Sequence, residues 1–362
     1  MHQSLPLLNW KSIINDIEKE RAILLLGPDF LPYRGESVLA DFHDFLISNY
    51  SDDEITFFFR DGMFLFDSAL AKMDAQTGAE EFYKGLPTDE SVLGAIAELP
   101  FPLIISVNPD FSLPQFFAKH RLNFQFDYFS IRDKATPSSI SKPTADSPLI
   151  FNLLGTVEDY QSLVLDFDDM FDLLKKLLGD FGIPKVVNDI MTHATTYIFI
   201  GFQFEKWYTQ LLLRYVNKNR DRFSNTKKNF AIKTVISEEN TRNFFQKQFN
   251  LNVYGADLQF LSELRKEYTN SKNLRILDSP ISDNAAMIRR LVQFNNLEAA
   301  LEQLLEFSRN FNNDIHNEAI MYKATYHAWL KERLDGTATQ EHLDVKIARV
   351  RMGILELSNR LH

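Results

Sequence analysis

With 362 residues, the chain is long enough for two domains, each with a hydrophobic core of its own. It contains no cysteine, which excludes disulfides, thiolate nucleophiles and zinc sites with cysteine ligands. Its formal net charge of -10 argues against a protein that mainly binds phosphate backbones, so nucleic acid is not an expected partner.

The amino-terminal residues and the apolar runs bear on where the protein works. Residues 1–4 lack the basic and apolar regions of a signal peptide. No apolar run approaches the length that crosses a bilayer. The sequence therefore predicts a cytoplasmic protein without a membrane partner.

Short apolar runs alternate with amphipathic segments from residue 8 to about residue 275. The runs are rich in β-branched and aromatic residues, which predicts strands. The predicted strands are 22–26, 103–107, 124–129, 149–153, 196–200, 231–236 and 251–254. The predicted helices are 8–18, 38–48, 167–178, 186–192, 206–216, 240–249 and 257–268. This alternation favours an α/β, Rossmann-like fold, with a mostly parallel sheet and helices on both faces.

The pattern changes at residues 277–283, where a proline and helix-capping residues indicate a domain boundary. Four helices are predicted after it, at 284–294, 297–309, 314–334 and 340–361. In the last helix one apolar stripe recurs at alternating spacings of four and three, at Leu343, Ile347, Val350, Ile354, Leu357 and Leu361. The tail is thus predicted to be a small all-α helical bundle, which gives domains at 1–278 and 283–362.

In four of the predicted strands, an apolar run is followed by a short loop that contains glycine, proline, asparagine or aspartate. The blocks are LLLGPD at 24–29, IISVNPD at 104–110, IFNLLG at 150–155 and YIFIGF at 197–202. In open α/β sheets, ligands bind beyond the carboxyl ends of the strands. The ends of these blocks therefore define the candidate site.

In this order, the four blocks resemble the sirtuin-like (SIR2-like) domains of bacterial defence proteins, over roughly residues 8–270. The family's first strand ends in Gly-Ala-Gly, whose loop cradles the phosphates of NAD. Gly27 matches the first glycine, whereas a proline and Asp29 follow it here. The family's second block, Thr-Asn-Tyr-Asp, is matched by Asn108 and Asp110. The resemblance implies that these two residues are catalytic if the domain is active.

The third block carries the departure with the largest consequence. The family's strand ends in His-Gly, and this histidine is its base, whereas Leu154 precedes the matching Gly155 here. A mechanism that loses its base loses about 10²- to 10⁴-fold in rate. In the fourth block Gly201 matches, but Gln203 and Lys206 replace the usual Ser and Asp. The resemblance implies that NAD or ADP-ribose, if bound, contacts Gly27, Asp29, Asn108, Gly155 and Gly201.

The helical tail resembles an effector-associated domain, the small adaptor of bacterial conflict systems. The residues that carry the likeness are 317–326, Leu330, Gly336 and 349–357. Such adaptors resemble death-fold modules in that like modules pair. The resemblance implies that residues 283–362 recruit a protein partner and that the chain forms a homo-oligomer.

Several polar groups have simpler explanations than a site. Asn108 and Asp110 taken alone would indicate only a turn, and their order among the four blocks makes them candidates. The histidines lack metal-ligand spacing, although His193 precedes the strand at 196–200. The acids Asp166, Asp168, Asp169 and Asp172 are expected at a helix start rather than around magnesium. The basic residues Arg214, Lys218, Arg220, Arg222, Lys227 and Lys228 are expected to be solvated, with a partner surface as the alternative.

Three functions remain open at this point, and none of them requires a metal. The first is a degenerate pseudoenzyme that binds, senses or assembles, with the tail as its adaptor. The second is an active NAD hydrolase that depletes the coenzyme on infection, in which another group replaces the missing base. The third is a receptor for an ADP-ribose-like signal, with a pocket lined by Gly27, Asn108, Gly155 and Gly201.

Overall fold

The structure is a computed structural model, and it describes most of the chain. The described residues are 9–31, 38–50, 54–58, 60–86, 88–132, 140–179, 182–217, 227–232, 236, 239–254, 259–270, 274–277, 284–309, 313–335 and 338–361. They form two compact units, one of Met1–Asp110 with Asp127–Ile276 and one of Phe111–Phe126 with Leu277–His362. The predicted boundary at 278–283 lies outside the described residues, so the bounds 1–278 and 283–362 stay a prediction.

The strands are β1 Ala22–Leu26, β2 Ile55–Phe58, β3 Met63–Phe66, β4 Leu103–Ser106, β5 Gln125–Tyr128, β6 Leu149–Asn152, β7 Thr196–Ile200, β8 Lys228–Ile232 and β9 Leu251–Tyr254. The helices are α1 Trp10–Glu18, α2 Val38–Asn49, α3 Ala69–Lys84, α4 Glu90–Glu98, α5 Ser112–Lys119, α6 Phe167–Leu178, α7 Lys185–His193, α8 Trp207–Val216, α9 Glu239–Phe249, α10 Gln259–Thr269, α11 Asn284–Gln293, α12 Leu297–Arg309, α13 Asn313–Asp335 and α14 Gln340–Asn359. Among these helices, none is both long and apolar enough to cross a bilayer.

Seven strands form one sheet in the order β5-β6-β4-β1-β7-β8-β9. Every pairing from β6 across to β9 is parallel. All residues of β1, β4, β6 and β7 are buried, as expected for parallel strands covered by helices on both faces. The predicted α/β, Rossmann-like fold is confirmed.

An antiparallel hairpin of β2 and β3 precedes α3, and the sequence did not predict it as strands. The side chains of β2 alternate, so Phe57 is buried and Phe58 is 42% exposed. Phe57 packs on Phe64 with ring centroids 4.9 Å apart, and Phe64 contacts Phe42 of α2 at 5.5 Å. The phenylalanines of the hairpin therefore contribute to the core from one face only.

The second unit contains α11 to α14 together with α5. The apolar stripe of α14 faces its interior, since Val350, Ile354 and Leu357 are at most 1% exposed. Gly353 lies against a neighbouring ring, and a Cβ there would be 2.1 Å from Cζ of Tyr322. The predicted helical tail is confirmed.

Candidate functional site

The strand order defines a crevice beside the central strand. From β1 the chain adds β4 and then β6 on one side, and later places β7 on the other side of β1. Ligands of open α/β sheets bind where the strand order reverses in this way. The four sequence blocks end β1, β4, β6 and β7, so the fold brings all four to this edge of the sheet.

The loops after β1 and β7 lie directly against each other. The Gly27 amide donates to the Ile200 carbonyl at 2.8 Å, and the Asp29 amide donates to the Gly201 carbonyl at 3.2 Å. A Cβ on Gly27 would lie 2.3 Å from the Gly201 oxygen, and a Cβ on Gly201 would lie 2.3 Å from the Phe30 nitrogen. Both glycines are therefore required for close packing of the two backbones.

This packing makes the loop after β1 a poor fit for a dinucleotide pyrophosphate. Among its described residues, the amides of Gly27, Asp29 and Phe30 all donate to backbone carbonyls, and Pro28 has no N–H. Phosphate sites in such loops depend on free amides and a positive potential. Gly27 and Asp29 thus lie at the predicted edge of the sheet, but neither has an amide left to donate.

The Asp29 side chain adds a negative charge at the same place. Its Oδ2 accepts a hydrogen bond of 2.8 Å from Gln203 Nε2. Burial lowers the pKa of the neighbouring Lys206 ammonium, and the charges of Asp29 and Asp61 offset only part of that effect. A phosphate at this position would be repelled by the Asp29 carboxylate. The nearby Lys206 would compensate only in part, because burial disfavours its charged form.

Asn108 and Asp110 follow β4 but face different surroundings. The Asn108 amide donates to Ser106 Oγ at 3.0 Å, and this hydroxyl donates to the Asn108 carbonyl at 3.2 Å. The Asn108 side chain is buried and lines a cavity. Asp110 is not among the described residues that line it. The Asp110 carbonyl accepts from Asn152 Nδ2 at 3.2 Å, and burial together with the Asp110 charge raises the pKa of Tyr83.

Leu154 and Gly155 follow β6. The Leu154 side chain lines the same cavity and packs against the hydrophobic core. Gly155 has a φ of +85°, and a Cβ there would lie 2.2 Å from the Ser162 carbonyl oxygen. The Ser162 hydroxyl accepts from the Thr156 amide at 2.9 Å and donates to the Asp159 carbonyl at 2.6 Å. Gly155 is therefore required by the turn that holds Leu154 at the cavity.

The cavity has a volume of about 70 Å³ and lies beyond the ends of β1, β4, β6 and β7. Its lining is mainly hydrocarbon and includes Met63, Leu153, Leu154, Val164, Leu173 and Leu177. Among the described lining residues, none is a histidine, aspartate, glutamate, lysine or arginine. His193 lies exposed at the end of α7, where its Nδ1 is 2.7 Å from the Asp189 carbonyl. Among the described residues that line the cavity beside Asn108, the titratable side chains are Tyr83 and Tyr208, and burial raises the pKa of both hydroxyls, which makes them poor general bases.

The polar residues of the cavity other than Asn108 were missed by the sequence analysis. They are Tyr83, Tyr208 and Thr209. Tyr83 lies on α3, a helix that was not predicted, and the other two lie in the first turn of α8. None of them belongs to a local motif, so only the tertiary fold identifies them.

Comparison with protein families agrees with this arrangement. Residues 102–254 match the SIR2-like domain, and residues 283–362 match effector-associated domain 11. The chain joins a SIR2-like domain to an effector-associated domain. No curated protein matches the sequence. The pairing of these two domains suggests a conflict-system protein, and the SIR2-like match includes the ends of β4, β6 and β7.

Within the SIR2-like domain, the acids at the start of α6 stabilise the helix. Asp166 Oδ1 accepts from the Asp169 amide at 2.8 Å, which caps the helix. Lys72 Nζ donates to Asp166 at 2.6 Å and to Asp169 at 2.8 Å. Burial disfavours the Lys72 ammonium, but these hydrogen bonds outweigh it and raise the pKa of Lys72. Asp166, Asp168 and Asp169 thus have the helix-start position that the sequence predicted, whereas Asp172 lies in the second turn of α6. Lys72, on α3, supplies the counter-charge.

The basic group of the SIR2-like domain differs from the prediction. Lys227 is only 6% exposed, and its Nζ donates at 3.3 Å to the carbonyls of Met191 and Val216 and to the Tyr197 hydroxyl. The prediction of a solvated side chain is wrong for Lys227, because its ammonium satisfies carbonyls in the last turns of α7 and α8. Lys218, Arg220 and Arg222 lie outside the described residues.

Proposed function

We propose that the SIR2-like domain is a degenerate pseudoenzyme that works by binding, sensing or assembly in the bacterial cytoplasm, and that the effector-associated domain recruits a protein partner. One observation carries this proposal: the described lining of the cavity has no acid, amine, imidazole or guanidinium, and it includes Leu154, which the resemblance aligns with the family's base. The loop after β1 supports it further, because its described amides are already bonded. Both the binding of phosphates and the transfer of a proton lack their usual groups.

The full-length chain, incubated with NAD, is expected to release no nicotinamide above the buffer background. The physical reason is that no acid, amine or imidazole is among the described residues that line the cavity, and a positioned base supplies about 10²- to 10⁴-fold of rate in such reactions. Chromatography of the reaction mixture measures the product. Sustained turnover that is lost on Asn108→Ala, but kept on the matched change Asn49→Ala at an exposed position of α2, would contradict the proposal.

Two other functions each have an observation in their favour. Asn108, which the resemblance aligns with the family's catalytic asparagine, lines the cavity, and this favours an active NAD hydrolase. Gly27, Asn108, Gly155 and Gly201 all lie at one edge of the sheet, which favours a receptor for an ADP-ribose-like signal. Calorimetry with NAD and with ADP-ribose separates these functions. Saturable heat with ADP-ribose and no nicotinamide release would favour the receptor. No heat with NAD or with ADP-ribose would support the pseudoenzyme.

The assembly expected of the chain is tested at exposed methionines of the effector-associated domain. Met321 on α13 and Met352 on α14 are 69% and 71% exposed, and flexible methionine side chains are common at binding surfaces. Met321→Glu and Met352→Glu are expected to give smaller species in size-exclusion chromatography with light scattering. Met73→Glu on α3, at a position that is 49% exposed, is the control and should change nothing. Unchanged assembly in both test variants would exclude these side chains from the interface.

A further inference from the structure

The residues that line the cavity in the SIR2-like domain disfavour the binding of a charged ligand. Leu153, Leu154, Val164 and Leu173 are among its lining residues, and no carboxylate or cationic side chain is among those described. A charged molecule entering such a space loses its hydration without gaining a counter-charge. The cavity is therefore suited to an uncharged and largely apolar ligand.

Three buried side chains offer hydrogen bonds at this cavity. Asn108, Tyr83 and Thr209 are 7%, 7% and 4% exposed, and all three line the space. The Asn108 carboxamide and the hydroxyls of Tyr83 and Thr209 can each donate and accept hydrogen bonds. Buried polar groups are nearly always hydrogen-bonded, so three of them at one hydrocarbon cavity point to a ligand that carries a polar group of its own.

We propose that the cavity binds a small, uncharged, mainly aliphatic molecule with one amide or hydroxyl group. The hydrocarbon of the ligand contacts the leucine and valine walls, and its polar group bonds Asn108 and the two hydroxyls. At roughly 10–15 Å³ for each water, the cavity of about 70 Å³ has room for on the order of five waters. A short chain of comparable size fits this space. The inference rests on the proposed function, since it assigns a ligand class to the domain's binding role.

The test compares two probes that share one chain and differ in charge, namely hexanamide and hexanoate. Calorimetry or saturation-transfer NMR on the full-length chain is expected to show saturable binding of hexanamide, and binding of hexanoate at least tenfold weaker. Equal binding of the two probes, no binding of hexanamide up to its solubility, or binding of nicotinamide in its place would overturn the inference.

Two substitutions test whether hexanamide binds in this cavity. Leu154→Phe narrows the cavity and is expected to weaken hexanamide at least tenfold, whereas Leu178→Phe changes a side chain on α6 that is 68% exposed and should have no effect. Asn108→Leu removes the carboxamide at similar volume and is expected to weaken hexanamide more than a pure alkane probe of the same length. Circular dichroism of each variant checks that the fold is kept. Binding that is unchanged in both Leu154→Phe and Asn108→Leu would contradict the assignment.

Failure of this inference is distinguishable from failure of the proposed function. Nicotinamide release from NAD by the same preparation would contradict the pseudoenzyme proposal, whatever hexanamide does. Absence of both nicotinamide release and hexanamide binding would overturn only the ligand class. The two assays therefore report on separate claims about one cavity.

Discussion

Replacing Gly201 by alanine is expected to lower the free energy of unfolding of the SIR2-like domain by about 3 kcal/mol. Gly201 has a φ of +73°, a conformation that costs an L-residue about 1–2 kcal/mol. Its Cβ would also lie 2.3 Å from the Phe30 nitrogen and 2.4 Å from the Asp29 carbonyl carbon, which are backbone atoms with little freedom to move. Thermal unfolding followed by circular dichroism is expected to show a Tm lower by about 6 °C or more.

The matched control for this substitution is Gly85→Ala. Gly85 ends α3 with a φ of -77°, and the nearest atoms to an added Cβ are 3.5 Å away. Its effect on the free energy of unfolding is expected to stay within about 0.5 kcal/mol. If Gly201→Ala melted with the wild type, the close contact between the loops after β1 and β7 would be disproved.

The contact between the loops after β1 and β7 also hinders the binding of a dinucleotide. The hydrogen bond from Gly27 to Ile200 and the one from Asp29 to Gly201 join the two loops at the point where a dinucleotide would be expected. A pyrophosphate can use the Gly27 or Asp29 amide only after these bonds are broken. Weak or absent NAD binding is therefore expected from the backbone alone, independently of Leu154.

Replacing Lys72 by methionine is expected to destabilise the SIR2-like domain by about 3 kcal/mol. The change leaves Asp166 and Asp169 partly or wholly buried without the ammonium that both contact. The folded-state pKa of Lys72 is raised, so its contribution is present at neutral pH and is lost only as the pH rises through that raised value. Urea unfolding at pH 7 measures the loss, which should remain nearly constant up to about pH 9.

The control for Lys72→Met is Lys84→Met, because Lys84 lies at the carboxyl end of α3, the helix that also carries Lys72. Lys84 pairs with Glu80 on the surface of α3, and such pairs contribute about 0–1 kcal/mol. Adding Asp166→Asn and Asp169→Asn to Lys72→Met is expected to recover part of the lost stability, because neutral side chains need no counter-charge. Equal losses in Lys72→Met and Lys84→Met would show that the buried network does not contribute as described.

Much of the fold was predictable because its signals are local. The predicted bounds 22–26, 196–200 and 251–254 coincide with β1, β7 and β9, since each strand is a short apolar run between turn residues. The helix α3 was missed because its buried face consists largely of small residues such as Ala71, Ala75 and Ala79, which give little contrast with the polar face. The sequence also did not predict that residues 111–126, which include α5, belong to the second, helical unit. Within that unit the ring of Phe124 stacks on that of Phe294 with centroids 4.5 Å apart.

The sequence by itself determined the alternation of strands and helices, the helical tail and the order of the four blocks, because each depends on residues that are neighbours in the chain. The resemblance of the third block to the family's His-Gly also predicted that Leu154 replaces the base. Only the tertiary structure decided that the loop after β1 is closed by the loop after β7, that Lys72 balances the acids of α6, and that Tyr83 joins Asn108 at a hydrocarbon cavity. These contacts join residues far apart in the chain, and no periodicity or spacing encodes which distant side chains will meet.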